Sequence, residues 1–414
     1  MEIFLTLEDA INRAIANSIS LQKNVIELEL AQYSAEHIWS VLFPSFSLGA
    51  ELIFLPRTNL ISSPGFNYNA NGIPYSVNFG IDIQLNTTIP SSMRETELAY
   101  RMGLLSYENA SRRVALEATK TFYSLLANKV NIANLEEALA LAERQLENNR
   151  IARANGLIGE LPWLRSSLSA ETARYNLSVA QASFDNSLKE FLTTLGLDRN
   201  TEVILVGTIN PVQVNVDAEA LILEFLPRRP DIISQRQIIE QAVLRRTQRI
   251  ISTKAPSLSF RVGWTGSLTN TGFTDNLSGS LSLTIPIDPW IPGTQSNQAL
   301  RATDADLEKA RLELLNTENA ARANIRSLSE NINNAWESIE MASLILEIAQ
   351  RTYELTEAGL RSGSVEYLSF ENTRKDLADA QYRLLQSELN YLNLLLDLAS
   401  SLNVDLETLI RRGE

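Results

Sequence analysis

The side chains best suited to chemistry in this sequence stand isolated or along helix-like stretches. Paired acids occur at Glu136 and Glu137 and at Asp304 and Asp306, and paired carboxylates can serve acid–base or metal chemistry. No glycosidase or nuclease context surrounds them. The chain also has a single histidine, His37, and no cysteine, which excludes thiolate catalysis and the usual zinc sites. We therefore expect no enzyme, no cofactor and no bound metal.

Two groups of arginines allow more than one interpretation. The segment Arg228-Arg229-Pro230-Asp231 is typical of a helix start, with proline in the first turn and an acid at the positive end of the helix dipole; a ligand-binding role is the alternative. Arg245, Arg246 and Arg249 could form a basic patch or pair with acidic helices. A formal net charge of -13 argues against a nucleic-acid partner, because such binding requires clustered cations.

Composition alone is that of a large soluble protein: 414 residues, 44% hydrophobic and 21% charged. No window approaches the ~18 consecutive apolar residues of a transmembrane helix. The opening MEIFLTLEDA has no basic segment followed by an apolar stretch, so no signal peptide is expected in this chain. The protein is then either cytoplasmic or a mature chain whose targeting segment has been removed.

Proline and glycine, which interrupt regular structure, are strongly clustered. Long stretches that nearly lack both predict very long helices at about 92–153 and 295–356, followed by return helices at about 161–195 and 364–402. At 1.5 Å per residue, each long helix would measure about 90 Å, more than a compact core needs. In the second long helix, apolar and small residues from Leu307 to Ala349 alternate in steps of three and four, which predicts a coiled-coil seam.

Nine of the thirteen prolines fall in two windows where apolar and polar residues alternate with period two. This alternation predicts two hairpins with strands at about 44–56 and 75–89 and at about 257–268 and 276–287. Strands of about ten residues can cross the apolar part of a bilayer when tilted. We expect these residues to face lipid: Phe46, Leu48, Phe79, Ile81, Phe260, Trp264, Leu281 and Leu283.

The two windows belong to an internal repeat. Pro44-Ser45-Phe46-Ser47 corresponds to Pro256-Ser257-Leu258-Ser259, and Leu195-Gly196-Leu197-Asp198 parallels Leu402-Asn403-Val404-Asp405. Residues 1–197 therefore form repeat 1, residues 198–226 a linker and residues 227–414 repeat 2. Each repeat consists of a helix, a hairpin, a very long helix and a return helix, so the fold class is mainly α with a membrane β-barrel portion.

Four strands cannot close a barrel, since about eight make the smallest filled one. An open edge in hydrocarbon would leave backbone N–H and C=O groups unpaired, so the chain is expected to oligomerise. Two copies would give eight strands and a filled interior. Three copies would give twelve strands and begin to leave a passage.

The sequence resembles the TolC-type outer-membrane efflux and secretion channels, also called outer membrane factors, over essentially its whole length. The resemblance rests on Leu226-Pro227-Arg228-Arg229-Pro230-Asp231-Ile232, on Leu5-Thr6-Leu7-Glu8-Asp9-Ala10-Ile11, on the Pro-Ser-x-Ser strand starts and on paired Gly-Leu turns. It implies a homotrimer with a 12-stranded barrel in the outer membrane of a Gram-negative-type bacterium, and an α-helical coiled-coil tunnel in the periplasm. It also implies a passive exit duct that works with a periplasmic adaptor and an inner-membrane pump or ABC exporter.

The resemblance further implies that the adaptor docks around the Gly-Leu turns at the helical hairpin tips. The residues at these positions are Arg153, Asn155, Gly156, Leu157, Gly359, Leu360 and Arg361. Each glycine is equally readable as a helix C-cap in the left-handed conformation. Many relatives carry acids at the pore entrance just past the second tip, where this sequence has Glu366 and Ser369; an ordinary solvated glutamate is the alternative for Glu366.

A soluble periplasmic coiled-coil scaffold or adaptor is the competing functional class. An adaptor would need lipoyl-like or barrel domains, which the sequence does not contain. Four alternating strands of membrane-crossing length favour the channel. Drug efflux, metal efflux and protein secretion are all compatible with the sequence, because a wide aqueous duct carries whatever its pump delivers.

Overall fold

A computed structural model describes residues 3–52, 75–85, 88–269 and 272–413. The chain forms two compact units. The first comprises Met1–Ile26, Leu105–Ile233 and Asn316–Glu414, and the second comprises Glu27–Leu104 and Ser234–Leu315. Each unit therefore draws on both halves of the sequence.

The first half begins with strand β1 (Ile3–Leu5) and helices α1 (Leu7–Asn17) and α2 (Ile19–Glu36). A short 3₁₀ turn (Ile38–Leu42) precedes strands β2 (Ser45–Leu52) and β3 (Tyr75–Leu85). Helix α3 (Ile89–Ala154) and helix α4 (Glu160–Thr194) complete it. Helix α3 begins three residues before its predicted start, because Pro90 occupies the first turn, where a missing N–H costs nothing.

The second half has the same order. Strand β4 (Val203–Leu205) and helix α5 (Ala218–Phe225) occupy the predicted linker, and helix α6 (Pro230–Lys254) follows. Strands β5 (Ser257–Thr269) and β6 (Gly272–Thr284) lead through a 3₁₀ turn (Asp288–Trp290) into helix α7 (Gln295–Ser362). Helices α8 (Tyr367–Leu402) and α9 (Leu406–Gly413) end the chain.

Four further predicted boundaries differ from the structure. Strand β6 begins four residues before its predicted start and ends at Thr284 instead of about 287. Helix α7 continues six residues past 356, and helix α8 begins at Tyr367 instead of about 364. Residues 53–56 of the first predicted strand and 86–87 of the second lie outside the described residues. The predicted end of the second strand at about 89 is wrong, because Ile89 is the first residue of α3.

The first unit has a core built from strands β1 and β4 and from helices α1, α3 and α4. The two strands pair in parallel through Ile3–Leu5 and Val203–Leu205. Around them packs a cluster of buried side chains: Leu5, Ala10, Ala14, Ala118, Phe122, Leu125, Leu126, Phe191, Leu195 and Leu205. The pairing fixes the start of the chain to the segment that joins the two repeats.

Helices α7 and α8 carry a second buried seam in the same unit. Ile325 and Ile332 on α7 and Leu398 on α8 are fully buried, and Trp336 packs on Tyr391 with ring centroids 5.3 Å apart. The Tyr391 hydroxyl accepts a hydrogen bond from Val214 N (3.0 Å) and donates one to Val212 O (2.9 Å). The predicted heptad seam is confirmed in this unit, because its residues from Ala321 to Ala349 are buried or half-buried.

The second unit contains a four-stranded antiparallel sheet in the order β2-β3-β5-β6. The two hairpins join through β3 and β5, which pair from Tyr75 with Leu268 to Leu85 with Leu258. Strands β2 and β6 are the outer strands, and no further strand borders them in the described ranges. The predicted arrangement of two hairpins is confirmed, and the register unites them into one sheet.

Candidate functional site

The sheet has one apolar face, and every residue predicted to meet lipid lies on it. The register places Leu48 opposite Phe79 and Phe79 opposite Trp264, forming one cross-strand row. Phe260 lies opposite Leu281 in another row. Because residues directly opposite each other point to the same side of a sheet, Phe46, Ile81 and Leu283 share this face as well. Leu48, Leu281 and Leu283 are more than 60% exposed, so this unit does not cover the face.

The other face of the sheet is polar. Arg261 Nε donates to Asp82 Oδ2 at 2.7 Å, and the row continues with Ser45 on one side and Ser280 on the other. Ser278 Oγ donates to Gly263 O at 3.2 Å. Hydroxyl, carboxylate and guanidinium groups on one face, with aromatic and aliphatic groups on the other, suit a sheet that separates water from an apolar phase.

The first hairpin tip, between α3 and α4, closes through a Schellman motif. Gly156 has a φ of 70°, Leu157 N donates to Ala152 O at 2.8 Å, and Gly156 N donates to Arg153 O at 2.9 Å. The exposed side chain of Arg153 stacks on the Trp163 ring, 4.3 Å from its centroid, and pairs with Glu160 at 3.4 Å. Leu157 is 76% exposed, and Asn155 beside it is exposed too.

The second hairpin tip corrects the predicted turn. Gly359, Leu360 and Arg361 lie within the last turns of α7, where Arg361 pairs with Glu357 at 2.7 Å. The left-handed residue is Gly363, with a φ of 76°. Ser364 N donates to Gly359 O at 2.9 Å, and Gly363 N donates to Leu360 O at 3.1 Å. The counterpart of Gly156 is therefore Gly363, and a serine stands where the first tip has Leu157.

Gly359 is required for another reason. A Cβ atom added at Gly359 would overlap the Val365 side chain, so the chain after the turn packs directly against the last turns of α7. The sequence pattern Gly-Leu matched the residue type at this tip and missed the conformation. Comparison of the two Schellman motifs shows that Gly156 and Gly363 are the equivalent residues of the two tips.

Glu366 and Ser369 follow the second turn. Glu366 is exposed and caps α8 through its carbonyl, which accepts from Ser369 N (3.0 Å) and Phe370 N (3.3 Å), and its side chain makes no capping hydrogen bond. Ser369 is exposed as well. The structure thus gives both side chains access to solvent and assigns Glu366 a local role in starting the helix.

A partly buried polar network in the first turns of α8 was not predicted from the sequence. Arg374 donates to Glu371 Oε2 at 2.9 Å, and their side chains are only 15% and 16% exposed. Arg374 also donates to Ser169 Oγ on α4 and to Ala138 O on α3 (3.1 Å), and Tyr367 Oη donates to Glu371 Oε1 at 2.9 Å. The network ties α8 to the first hairpin. The spacing of Tyr367, Glu371 and Arg374 in steps of four and three is the signal that could have revealed it.

The described helices include none that is both long and apolar enough to cross a membrane. Among the same residues, no three or more His, Asp or Glu side chains cluster in a way that could hold a metal ion.

Comparison with solved structures shows the class of this fold. The outer-membrane channel CmeC of Campylobacter jejuni superposes with a TM-score of 0.77 at 17% identity, covering 98% of this chain and 89% of CmeC. A membrane protein of Pseudomonas aeruginosa gives 0.77 at 16% identity, with coverages of 96% and 90%. The outer membrane protein VceC of Vibrio cholerae gives 0.71 at 16% identity, with coverages of 97% and 96%. No curated protein sequence matches the chain.

The family follows from the sequence itself. Residues 10–197 and 222–404 match the family described as "Outer membrane efflux protein". The chain belongs to that family. Its members are non-enzymatic transport conduits of the outer membrane, which confirms the expectation that the chain is not an enzyme.

A side chain at Gly156 or Gly363 would strain the left-handed backbone, whereas a side chain at Gly359 would overlap Val365. Gly156→Ala and Gly363→Ala should each destabilise the protein by about 1–2 kcal/mol, because an L-residue is strained in the left-handed region. Gly363→Asn is the control and should lose much less, since asparagine tolerates that conformation. Gly359→Ala should destabilise too, but the added change Val365→Ala should restore stability. Thermal unfolding followed by circular dichroism measures all five variants, and an unaffected Gly363→Ala would contradict the assignment.

The network also predicts sensitivity to alkaline pH. Burial, followed by the charge and hydrogen bond of Glu371, raises the pKa of Tyr367 above its ordinary value of 10.0. The folded chain therefore keeps a proton that the unfolded chain releases, so this contribution to stability is present below about pH 10 and is lost as the pH rises further. Tyr367→Phe should make the loss of stability above that pH less steep. Unfolding midpoints at neutral and alkaline pH test this, and an unchanged slope would contradict it.

Proposed function

We propose that the chain is one protomer of a homotrimeric outer-membrane exit duct for an efflux pump or a type I secretion system. The observation that carries this proposal is the sheet: one exposed apolar face, one polar face, and two outer strands that no strand borders in the described residues. Family membership supports the outer-membrane setting.

The apolar face meets the hydrocarbon of the outer membrane. The strands of eight to thirteen residues suit a tilted crossing, which takes about 9–11 residues. Hydrocarbon cannot satisfy the backbone groups of the outer strands β2 and β6. Each outer strand therefore pairs with an outer strand of another copy.

Three copies close the ring. An eight-stranded barrel is filled by its own side chains, whereas twelve strands leave room for a passage. The polar face, with Asp82, Arg261 and Ser280, lines this passage, and water there hydrates the charged groups. Helices α3, α4, α7 and α8 of each copy form an α-helical tunnel in the periplasm.

The hairpin tips receive the periplasmic adaptor, which connects the duct to an inner-membrane pump or ABC exporter. The exposed Arg153, Asn155 and Leu157 of the first tip and the second tip around Gly363 provide the docking surface. Glu366 and Ser369, both exposed beside the second tip, border the tunnel entrance. The duct itself performs no chemistry, so substrate choice belongs to the pump.

The lipid-facing assignment is tested by charge. Phe79→Arg should prevent the trimer from inserting, since an arginine on the lipid face costs roughly 2–4 kcal/mol near the bilayer midplane. Thr265→Arg is the matched control: it pairs with Asn78, the neighbour of Phe79, and lies on the polar face. The trimer recovered from the outer-membrane fraction is the measurement. Equal recovery of both variants would show that the apolar face does not meet lipid.

The docking assignment is tested at the exposed leucine of the first tip. Leu157→Asp should reduce export while leaving the trimer intact, because it places a charge in an apolar contact that desolvates on docking. Leu223→Asp on α5, where the leucine is 82% exposed, is the control and should export normally. Intracellular accumulation of a pump substrate reports the result. Normal export by Leu157→Asp would remove the first tip from the docking surface.

A further inference from the structure

Two short segments flank the sheet at the same end. The register places Ser45 opposite Asp82 and Ser257 opposite Thr284, so strand β2 begins and strand β6 ends at the side where the sheet joins the helices. The 3₁₀ turn Ile38–Leu42 comes just before β2, and the 3₁₀ turn Asp288–Trp290 comes just after β6. The two turns thus stand beside the two outer strands.

Both segments expose large apolar side chains. Trp39 packs edge-on against Phe43 with ring centroids 4.7 Å apart, and Trp290 is 66% exposed. Pro289 in the second turn is buried. We name the set the collar: Trp39, Leu42, Phe43, Ile287, Trp290 and Ile291, each about half exposed or more.

A cation stands beside the collar. Lys254, the last residue of α6, places its Nζ atom 4.8 Å from the centroid of the Trp290 ring. Arg245 and Arg246 of α6 pair with Glu95 and Asp304, whereas Lys254 forms no salt bridge within the described part of the chain. Its charge therefore lies at the level of the aromatic rings and is available to an anion.

Aromatic rings border the lipid-facing band of outer-membrane barrels, and the collar suits the headgroup region of the periplasmic leaflet. We propose that Lys254, beside Trp290, binds the phosphate of an anionic phospholipid there. This inference rests on the proposed function, in which the apolar face of the sheet meets hydrocarbon. The collar continues the apolar surface past the strand ends of β2 and β6. Tryptophan concentrates at membrane interfaces, where its ring is apolar and its N–H reaches water.

The backbone of the collar fits the interface better than the hydrocarbon core. A 3₁₀ turn leaves N–H and C=O groups without internal partners, and these groups require water or headgroups. A soluble protein partner would not require a cation such as Lys254 beside the aromatic rings. In the closed trimer, the β6 side of each copy meets the β2 side of the next, so the two collar segments alternate around the barrel.

Single-tryptophan variants test the position of the collar. The chain has five tryptophans, and four variants that each keep only Trp39, Trp290, Trp264 or Trp163 are reconstituted into phosphatidylcholine vesicles. The lipids carry bromine, a fluorescence quencher, either near the glycerol or near the chain end. Trp39 and Trp290 should be quenched more by shallow bromine, Trp264 in the middle of β5 more by deep bromine, and Trp163 at the first tip by neither.

Each outcome separates the collar from the barrel. Quenching of Trp264 without quenching of Trp39 and Trp290 would contradict the interfacial position of the collar but not the membrane barrel. Stronger quenching of Trp39 and Trp290 by deep bromine than by shallow bromine would have the same meaning. Absence of quenching at Trp264 as well would overturn the proposed function and the collar with it.

The headgroup contact is tested with brominated phosphatidylglycerol diluted into phosphatidylcholine. The variant that keeps only Trp290 should be quenched as if phosphatidylglycerol were enriched about twofold to fivefold beside it, as expected for one lysine at the membrane surface. Lys254→Gln in that background should abolish the enrichment. Lys309→Gln, which removes an exposed lysine of α7, is the control and should keep it. Enrichment that survives Lys254→Gln would refute the phosphate contact.

Discussion

The backbone hydrogen bonds of the outer strands β2 and β6 constrain everything else in this protein. In the proposed duct, the apolar face of the four-stranded sheet meets hydrocarbon, which offers no partner for an open strand edge. The proposed chain meets this requirement by sharing its sheet with other copies. In that proposal, the number of copies sets the width of the passage, and the polar face with the Asp82–Arg261 pair lines it.

In the proposed duct, the helices meet a different requirement, because they form the tunnel wall. Helices α3 and α7 have 66 and 68 residues, and the α7 seam uses many alanines, so each turn buries little area and stability accumulates along the length. Side chains between neighbouring helices fix their alignment. Tyr391 holds the linker through Val212 and Val214, and Arg374 joins α8 to α3 and α4.

The sequence predicted those features that repeat along an element. Period-two alternation identified the strands and the correct face for Phe79 and Leu283, and steps of three and four identified the α7 seam. Features that depend on contacts distant in sequence were missed. The β1–β4 pair is too short to show a period. The Gly-Leu pattern places the second turn at Gly359, but the left-handed residue is Gly363. Gly359 is a glycine because Val365 packs against it, and a linear pattern does not show that contact. The Arg374 network needed Ser169, about two hundred residues away.

Closure of the sheet by three copies is the central claim, and disulfide trapping tests it most directly, because the chain has no cysteine of its own. Ser278→Cys on β6 is combined with single cysteines placed in turn along β2, from Ser45 to Leu52. The account predicts that oxidation in intact outer membranes gives, for at least one pair, a covalent ladder that ends at three copies. A ladder that ends at two, or no cross-link at any position along β2, would contradict it.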